Sequence, residues 1–388
     1  MRAEPLEFAK GAALLGDEEI DALAAVIRSR SLFRYRGDHA VGTVADFERG
    51  VCEALGCEYA VAVANGTAAL RCALAALGVG RGDEVVVPAF TFIATVNAVL
   101  VAGAVPVFCE VDDTLGVDPD DLAAKITERT AAAIVVHIEN VAADLDRVLA
   151  VATPRNVPVI EDAAQAFGAT YHGHAVGTIG ALGAFSLQQE KNITSGEGGV
   201  VTTDDEWLYL RAARYQDQGG QFVTSYMGGR GDELTEPFVG ENLRMGELAG
   251  AVAGVQLGRM PGLLASLRRN KARIVKAVGD IPGLVRRRRP DPEGDGSSSI
   301  TWFLPDAPAA KRVAAAVRAE GVPAAQMYRG RPVYLSPSFR ASYPAGLCPR
   351  TEALVARSVI VPVGVGYSDD DCDDVARAVR KVACRVLT

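Results

Sequence analysis

The sequence predicts an α/β protein, in which a large domain with a mostly parallel sheet sandwiched by helices precedes a smaller C-terminal α+β domain. Apolar strands and helical stretches alternate from residue 59 to residue 203, which is typical of a parallel sheet covered on both faces. The length of 388 residues suffices for two domains. We expect the large domain, with an N-terminal arm, over residues 1–250 and the small domain over residues 251–388.

Composition and charge argue against several classes of function. Hydrophobic residues make up 49% of the chain and charged residues 23%, as in an ordinary globular protein. The net charge of −8 argues against a nucleic-acid or anionic-membrane partner. The seven cysteines contain no CxxC pair and the four histidines form no metal motif, so we expect reduced thiols and no metal site. No apolar signal core or spanning segment is recognisable, which predicts a cytoplasmic location.

The N-terminal part is predicted to form helices at residues 17–28 and 44–55, where apolar side chains recur at helical spacing. Between them, residues 31–37 alternate aromatic and arginine side chains, among them Arg34. Two interpretations remain open for this stretch. It lines an anionic substrate site, or it is an arm that packs on a partner subunit.

A small-residue turn follows the first predicted strand, at residues 58–64. The turn reads Asn65-Gly66-Thr67, and an alanine-rich helix begins at Ala68. Such a turn can bind phosphate, because the first N–H groups of a helix are free and its N-terminus is electropositive. An ordinary βα turn has the same pattern, so these residues alone leave both interpretations open.

The remaining elements continue the alternation and then change it. Further strands are predicted at 83–88, 106–111, 131–137, 157–160 and 200–203, and helices at 93–101, 141–151, 247–257 and 264–278. A polar loop covers residues 216–237, and loops of this length are usually functional or mobile. The four arginines at 286–289 are predicted to be a solvated edge. The small domain has predicted strands at 299–303 and 359–362 and helices at 309–320 and 372–386.

One lysine, Lys191, lies in a loop of small and polar residues between two β-like runs. Ser186 precedes it by five residues, and the glycines at 196, 198 and 199 permit tight turns and close backbone approach. This setting suits a lysine that forms an imine with a bound carbonyl compound. The alternative is an ordinary solvated lysine.

An acid pair, Glu161-Asp162, falls at the carboxyl end of the strand predicted at 157–160. Ligands of open α/β sheets bind at that end. A carboxylate there can hold a pyridine nitrogen protonated, so that the ring of pyridoxal 5′-phosphate (PLP) acts as an electron sink. Asp162 and Lys191 together therefore indicate a PLP site.

Six sequence blocks together resemble the DegT/DnrJ/EryC1/StrS family of sugar aminotransferases, which belongs to the aspartate-aminotransferase-like PLP enzymes of fold type I. The blocks are NGTAAL (65–70), PAFTF (88–92), EDAAQA (161–166), FS with the lysine and GEGG (185–199), GENLRM (240–245) and CPRTE (348–352). The resemblance covers essentially the whole chain. It implies PLP as cofactor and amino transfer from glutamate or glutamine to a cyclic ketone, either a cyclitol or a keto-sugar, in antibiotic, secondary-metabolite or surface-sugar biosynthesis.

The resemblance also implies roles for individual residues. Lys191 would carry the cofactor as a Schiff base and Asp162 would pair with the pyridine nitrogen. Gln165 would lie over the ring or its O3′, and Phe92 would stack on the ring face. The phosphate would be held by the Gly66 turn with Thr67, Ala68 and Ser186, and by Asn242 from a neighbouring subunit. A site shared in this way implies an obligate homodimer.

The departures from the family pattern lie on the substrate side. Gln188, followed by Gln189, stands where the family commonly has histidine, which is similar to the subgroup acting on cyclitol ketones or aminobenzoate-type carbocycles. Glu139-Asn140 replaces a Tyr-Gly pair of many relatives, and the family's histidine downstream of Tyr328 is missing. We assign Tyr328 to the substrate side.

The residue chemistry on the substrate side indicates two acceptor classes. The neutral amides of Gln188 and Gln189 suit a ring bearing hydroxyl groups better than a phosphate. Guanidinium groups match carboxylate or diphosphate, and they could hold the α-carboxylate of the amino donor. The arginines in question are Arg34, Arg36, Arg329 and Arg331. We predict an uncharged polyhydroxylated cyclic ketone ahead of a nucleotide-diphosphate keto-sugar.

Three alternatives remain beside the aminotransferase. Another PLP reaction on the same scaffold, such as dehydration, oxidation or elimination, is one. Lys191 counts against dehydration, because the dehydrating relatives replace the lysine with histidine. A non-catalytic regulator with the same fold is the second, and the intact pair of Asp162 and Lys191 counts against it. The third is a nucleotide-binding α/β protein, which would require many coincident motifs.

Overall fold

The chain is described by a computed structural model over residues 5–35, 42–220, 236 and 238–387. Arg36 and most of the polar loop predicted at 216–237 lie outside these residues. Within them, no helix is long and apolar enough to cross a membrane.

A seven-stranded sheet forms the centre of the large domain. Its strands are β1 (Tyr59–Val63), β2 (Glu84–Pro88), β3 (Val105–Cys109), β4 (Thr130–Val136), β5 (Val159–Asp162), β8 (Leu182–Ser186) and β9 (Gly199–Thr203). A short hairpin of β6 (Thr170–Tyr171) and β7 (His174–Ala175) lies between β5 and β8 in the chain. The strand order is β1-β9-β8-β5-β4-β2-β3. Only β9 runs against its neighbours in this sheet, so the predicted mostly parallel sheet is confirmed.

Helices flank the sheet in the predicted alternation. They are α1 (Asp17–Ser29), α2 (Thr43–Leu55), α3 (Gly66–Ala76), α4 (Ile93–Val101), α5 (Pro119–Lys125), α6 (Leu145–Ala152), α7 (Glu206–Gln216) and α8 (Glu247–Val278). Side chains alternate along each strand, so successive residues face opposite helix layers. Ala60 and Ala62 of β1 join the core under α2 and α8, whereas Val61 and Val63 join the core under α3 and α7.

Helix α8 differs from the prediction of two helices at 247–257 and 264–278. It continues unbroken for 32 residues with Pro261 inside it. A proline removes one backbone donor and normally interrupts a helix, but buried side chains on both sides of it, such as Leu257 and Leu267, keep α8 packed along its length. The expected domain boundary at 250/251 falls within α8, which packs on both α2 and the last helix of the chain. The division into domains stays a prediction.

The C-terminal part is built on a separate three-stranded antiparallel sheet. Its strands are β10 (Val285–Arg286), β11 (Ser299–Phe303) and β12 (Ser358–Pro362), and its helices are α9 (Ala307–Ala319), α10 (Pro349–Ala356) and α11 (Asp369–Leu387). The predicted solvated edge at 286–289 is wrong for Arg287, which is buried and donates to the carbonyl oxygens of Thr114 at 2.6 Å and Ile138 at 2.8 Å. Arg287 therefore joins this part of the chain to the segments that follow β3 and β4.

Candidate active site

A cavity of about 1050 Å³ opens at the carboxyl ends of β5 and β8, beside the turn between β1 and α3. Most of the residues that the sequence singled out line it. They are Gly66, Thr67, Ala68, Phe92, Asp162, Gln165, Ser186, Gln188, Lys191 and Tyr328. Residues from the C-terminal part, including Arg318 and Ile360, and from the N-terminal segment, Phe8 and Lys10, close the remaining sides.

Asp162 ends β5, two residues later than the predicted strand end, because its backbone still pairs with Val136 of β4. Its carboxylate is buried and accepts hydrogen bonds from Thr95 Oγ1 at 2.8 Å and from the Ala164 N–H at 3.2 Å. Burial nevertheless raises the pKa of Asp162 above its ordinary value. No cation pairs with it among the described residues, so the site fits a ligand that brings a positive charge, as a protonated pyridine nitrogen does.

Glu161, the other member of the acid pair, faces away from the cavity. Its carboxylate binds His137 Nε2 at 2.8 Å and accepts the N–H groups of Gly177, Ile179 and Gly180. Burial alone would raise the pKa of Glu161, but the hydrogen bonds from His137 and these N–H groups hold it below the ordinary value. His137 Nδ1 accepts from the Ala143 N–H at 3.0 Å. Glu161 and His137 therefore fix the backbone around the site, and Asp162 is the acid available to a ligand.

Lys191 projects from a folded loop that joins β8 to β9. The Leu187 N–H donates to Gly198 O at 2.8 Å, and the Lys191 N–H donates to Gln188 O at 2.9 Å. Burial lowers the pKa of Lys191, and the neighbouring ammonium of Lys10 lowers it further. A lysine with a lowered pKa has a larger neutral fraction, which is the form that attacks a carbonyl and takes up a proton.

The start of α3 forms a cradle for an anion. Asn65 caps the helix by accepting the Ala68 N–H at 2.8 Å, so the N–H groups of Gly66 and Thr67, which have no helical partner, remain as donors. Ala68 was also expected to bind the phosphate, but its N–H is already donated to Asn65. A Cβ on Gly66 would lie 2.7 Å from Ser186 Cβ, so only glycine lets Ser186 approach the helix start this closely. The cradle suits a phosphate group.

Gln165 joins the two sides of the cavity. Its Oε1 accepts the Glu139 N–H at 3.1 Å, and its Nε2 donates to Tyr328 Oη at 3.0 Å. Glu139 and Tyr328 both have left-handed backbones, with φ of 52° and 48°. Such backbone conformations are unfavourable for residues other than glycine, and they persist where neighbouring contacts hold them. The polar wall of the cavity is therefore fixed in place by these contacts.

Aromatic side chains cover another part of the cavity. The Tyr328 ring lies 5.4 Å from Phe90 and 6.2 Å from Phe92, between ring centroids. Phe92 is 52% exposed although it lines the cavity. An aromatic face that is open to a cavity suits stacking against a planar ring.

Three predicted site residues do not line the cavity. Arg34 is buried elsewhere, where it binds both carboxylate oxygens of Glu48 at 2.7 and 2.9 Å and donates to Ala62 O. These bonds occupy its guanidinium, so its substrate role is withdrawn. Gln189 and Asn242 are exposed outside the cavity, which removes the structural basis for a substrate role of Gln189. The role of Asn242, which concerns a neighbouring subunit, stays a prediction.

Sequence reasoning missed Lys10, Thr95 and Arg318. Thr95 lies in the first turn of α4, three residues after Phe92. Residues at this spacing share one face of a helix, which could have placed Thr95 beside the carboxyl end of β5. Lys10 and Arg318 reach the cavity from distant parts of the chain, and no local pattern marks them.

Comparison with known proteins agrees with this site. The DegT/DnrJ/EryC1/StrS aminotransferase family profile matches residues 14–380. The L-glutamine:2-deoxy-scyllo-inosose aminotransferase of Streptomyces kanamyceticus is 37% identical over 358 residues, covering 87% of this chain and 82% of that protein. The enzyme with the same name from Streptomyces fradiae is 40% identical over 260 residues, and the match spans 66% of this chain and 60% of that protein. The crystal structure of DesI in the presence of its TDP-sugar product superposes with a TM-score of 0.85 at 30% identity, over 99% of this chain and 94% of DesI.

Proposed function

Because the chain belongs to the DegT/DnrJ/EryC1/StrS aminotransferase family and is a PLP-dependent aminotransferase, we propose that it transfers the amino group of L-glutamine or L-glutamate to an uncharged polyhydroxylated cyclic ketone. The second candidate acceptor is a nucleotide-diphosphate keto-sugar, which the similarity to DesI supports.

The residues of the cavity fit the cofactor. Bound PLP supplies an electron sink for the charge left when a proton leaves the substrate carbon. Asp162 would hold the positive charge of the ring nitrogen, and the Gly66 and Thr67 N–H groups with the Ser186 hydroxyl would bind the phosphate. Phe92 would cover the ring face. The neutral amine of Lys191 would take up and pass on the proton that leaves the substrate carbon, since a lowered pKa suits a base near neutral pH.

The observation that carries the acceptor class is the carboxylate of Glu139. It lines the same cavity as Lys191, together with the amide of Gln188, and Ser298 Oγ donates to it at 3.4 Å. A carboxylate accepts hydrogen bonds from neighbouring hydroxyl groups, whereas it repels a diphosphate. Both groups therefore favour an uncharged polyol ring, of the kind named for the two Streptomyces relatives.

The enzyme is further proposed to act as a homodimer in the cytoplasm. Asn242 is exposed and separate from its own cavity, which is compatible with a part in a partner's phosphate site. Within the described part of the chain, no disulfide joins Cys52, Cys57, Cys72, Cys109, Cys348 or Cys372, as is usual for cytoplasmic proteins. Sedimentation of the purified protein would test the dimer, and a monomer with full activity would contradict it.

Absorbance spectra test the function. The holoenzyme should change from the aldehyde to the amine form of the cofactor when L-glutamine or L-glutamate is added. The amine form should then be reoxidised faster by 2-deoxy-scyllo-inosose than by a TDP-keto-sugar in single turnover. Glu139→Gln should slow the cyclitol about tenfold, as expected for a lost charged hydrogen bond, and should not slow the sugar nucleotide. Faster reoxidation by the TDP-keto-sugar would overturn the acceptor class, and no spectral change with any donor would favour a regulator or another PLP reaction.

A further inference from the structure

The N-terminal segment 6–11 crosses from the C-terminal part of the chain to the lysine loop. The Leu6 N–H donates to Gly321 O at 3.0 Å, the Val365 N–H to Ala9 O at 3.1 Å, and the Gly11 N–H to Lys191 O at 3.2 Å. A Cβ on Gly11 would lie 2.5 Å from Asn192 O, so the segment lies directly against the lysine loop. The backbone on both sides of Lys10 is thus held at the cavity.

The Lys10 side chain is mostly buried, and among the described residues its ammonium lies over an aromatic ring but meets no anion. It is 7% exposed and lines the cavity, and its Nζ lies 5.4 Å from the centroid of the Phe8 ring. Among the described residues, no carboxylate or carbonyl oxygen forms a hydrogen bond or ion pair with this ammonium. The ammonium borders the open cavity, where it can donate to a ligand. The arrangement therefore suits an anionic ligand at Lys10.

The other cations of the cavity are already engaged. Arg71 is paired with Glu241, and Arg318 Nη1 donates to Ala324 O at 2.6 Å. Lys191 is required for the cofactor. The phosphate has its own donors at the start of α3. Arg318 keeps its charge but is exposed, whereas Lys10 is buried and its ammonium has no hydrogen-bond or ion-pair partner among the described residues. Lys10 is accordingly the favoured cation for an anion brought by a substrate.

The position of Lys10 selects which anion that is. Lys10 and Lys191 line the same cavity, and the N–H of Gly11, the residue after Lys10, donates to Lys191 O at 3.2 Å. An α-carboxylate is bonded directly to the carbon whose nitrogen is transferred, so it must lie next to Lys191. The sequence suggested several arginines for this task. Of those within the described residues, Arg34, Arg329 and Arg331, none lines the cavity.

We propose that Lys10 binds the α-carboxylate of the amino donor. The inference rests on the proposed aminotransferase function and assigns the donor subsite of the same cavity. The acceptor ketone lacks this carboxylate, so Lys10 distinguishes the two half-reactions. It favours an amino acid in the first half-reaction and contributes little to the second.

Lys10→Met removes the charge and keeps the length and apolar volume of the side chain. The donor concentration giving half-maximal conversion to the amine form should rise about 10- to 100-fold for L-glutamine, as expected for losing a charged hydrogen bond. All rates are compared at a pH at which Lys191 is neutral in both proteins, because Lys10→Met also raises the pKa of Lys191. Under that condition the rate of reoxidation by the ketone should change less than threefold. L-Glutamine amide, which lacks the carboxylate, should react equally with both proteins, and Lys10→Arg should restore part of the preference. Lys311→Met, at an exposed lysine, is the matched control.

A binding measurement separates recognition from turnover. Glutarate, a dicarboxylate without an amino group, should bind measurably to the wild-type holoenzyme in calorimetry. It should bind at least tenfold more weakly to the Lys10→Met holoenzyme. An unchanged donor requirement in Lys10→Met, or an equal loss with L-glutamine amide, would overturn the assignment. Such results differ from a failure of the aminotransferase function itself, in which even the wild-type protein would not convert to the amine form.

Discussion

Replacing Asp162 by Asn tests the cofactor site most directly, since the two side chains have the same shape and differ in charge. Thr95 Oγ1, 2.8 Å from the carboxylate, can still hydrogen bond to the amide oxygen. Burial raises the pKa of Asp162, which means that the ionised carboxylate is costly in the empty fold. The variant should therefore fold at least as well as the wild type in a thermal melt.

The expected loss of activity follows from the lost ion pair. A carboxylate and a ring-nitrogen cation about 4 Å apart attract each other by about 4 kcal/mol at an effective dielectric constant of about 20. Since each ~1.4 kcal/mol in a barrier is a factor of ten, the first half-reaction should slow by about 1,000-fold in Asp162→Asn. Stopped-flow absorbance after mixing the holoenzyme with L-glutamine measures this rate.

Thr95→Val is the matched control. It keeps the carboxylate and removes one hydrogen bond to it, so the expected loss is about 1.5 kcal/mol, or roughly tenfold. The reasoning would be refuted if Asp162→Asn reacted within tenfold of the wild type. It would also be refuted if Thr95→Val were the more damaging of the two changes.

Three further predictions concern the lysines and the Arg34 pair. Lys191→Ala should bind PLP without a covalent bond and should lose turnover, as seen by release of PLP on gel filtration in denaturant; full activity would contradict its role. Covalent capture of PLP by the apoenzyme should speed up with pH through a midpoint below the ordinary lysine value, because burial and the Lys10 ammonium lower the pKa of Lys191. Lys10→Met should move that midpoint to higher pH, and an unmoved midpoint would contradict the coupling. Arg34→Met should destabilise the fold by about 3–5 kcal/mol in urea unfolding, because it leaves the Glu48 carboxylate buried without its cation; adding Glu48→Gln should restore much of the loss.

Much of the fold was accessible from sequence because its signals are local. Each strand of the parallel sheet is apolar and short, and a helix with its own periodicity follows most of them. The pair of Asp162 and Lys191 was also accessible, since one lies at the end of a strand and the other in the loop after a strand, and the carboxyl ends of parallel strands share one edge. The boundaries were less certain, and β5 ends two residues beyond the predicted position.

The errors arose where distant contacts decide a residue's position. Arg34 looked like a substrate ligand, but its partner Glu48 is on α2 and Ala62 is on β1. Arg287 looked solvated within a run of arginines, yet it reaches carbonyl groups more than 100 residues away in the chain. Two helices were predicted at 247–257 and 264–278, but side-chain packing on both sides of Pro261 keeps α8 continuous. Lys10 carries no local signal, because only the folded chain brings the N-terminus to the lysine loop.

The reversed direction of β9 has a consequence for the order in which the protein assembles during synthesis. β9 inserts between β1 and β8, and Tyr59 pairs with Thr203 in this arrangement. A contact between residues so far apart in sequence closes late, because the entropy of a long loop must be overcome first. A Cβ on Gly199, the first residue of β9, would lie 2.4 Å from Asn65 O, so the same insertion brings the lysine loop against the phosphate turn. A nascent chain that has not yet released β9 from the ribosome therefore has no complete cofactor site, and PLP cannot serve as a template for the earlier steps of folding.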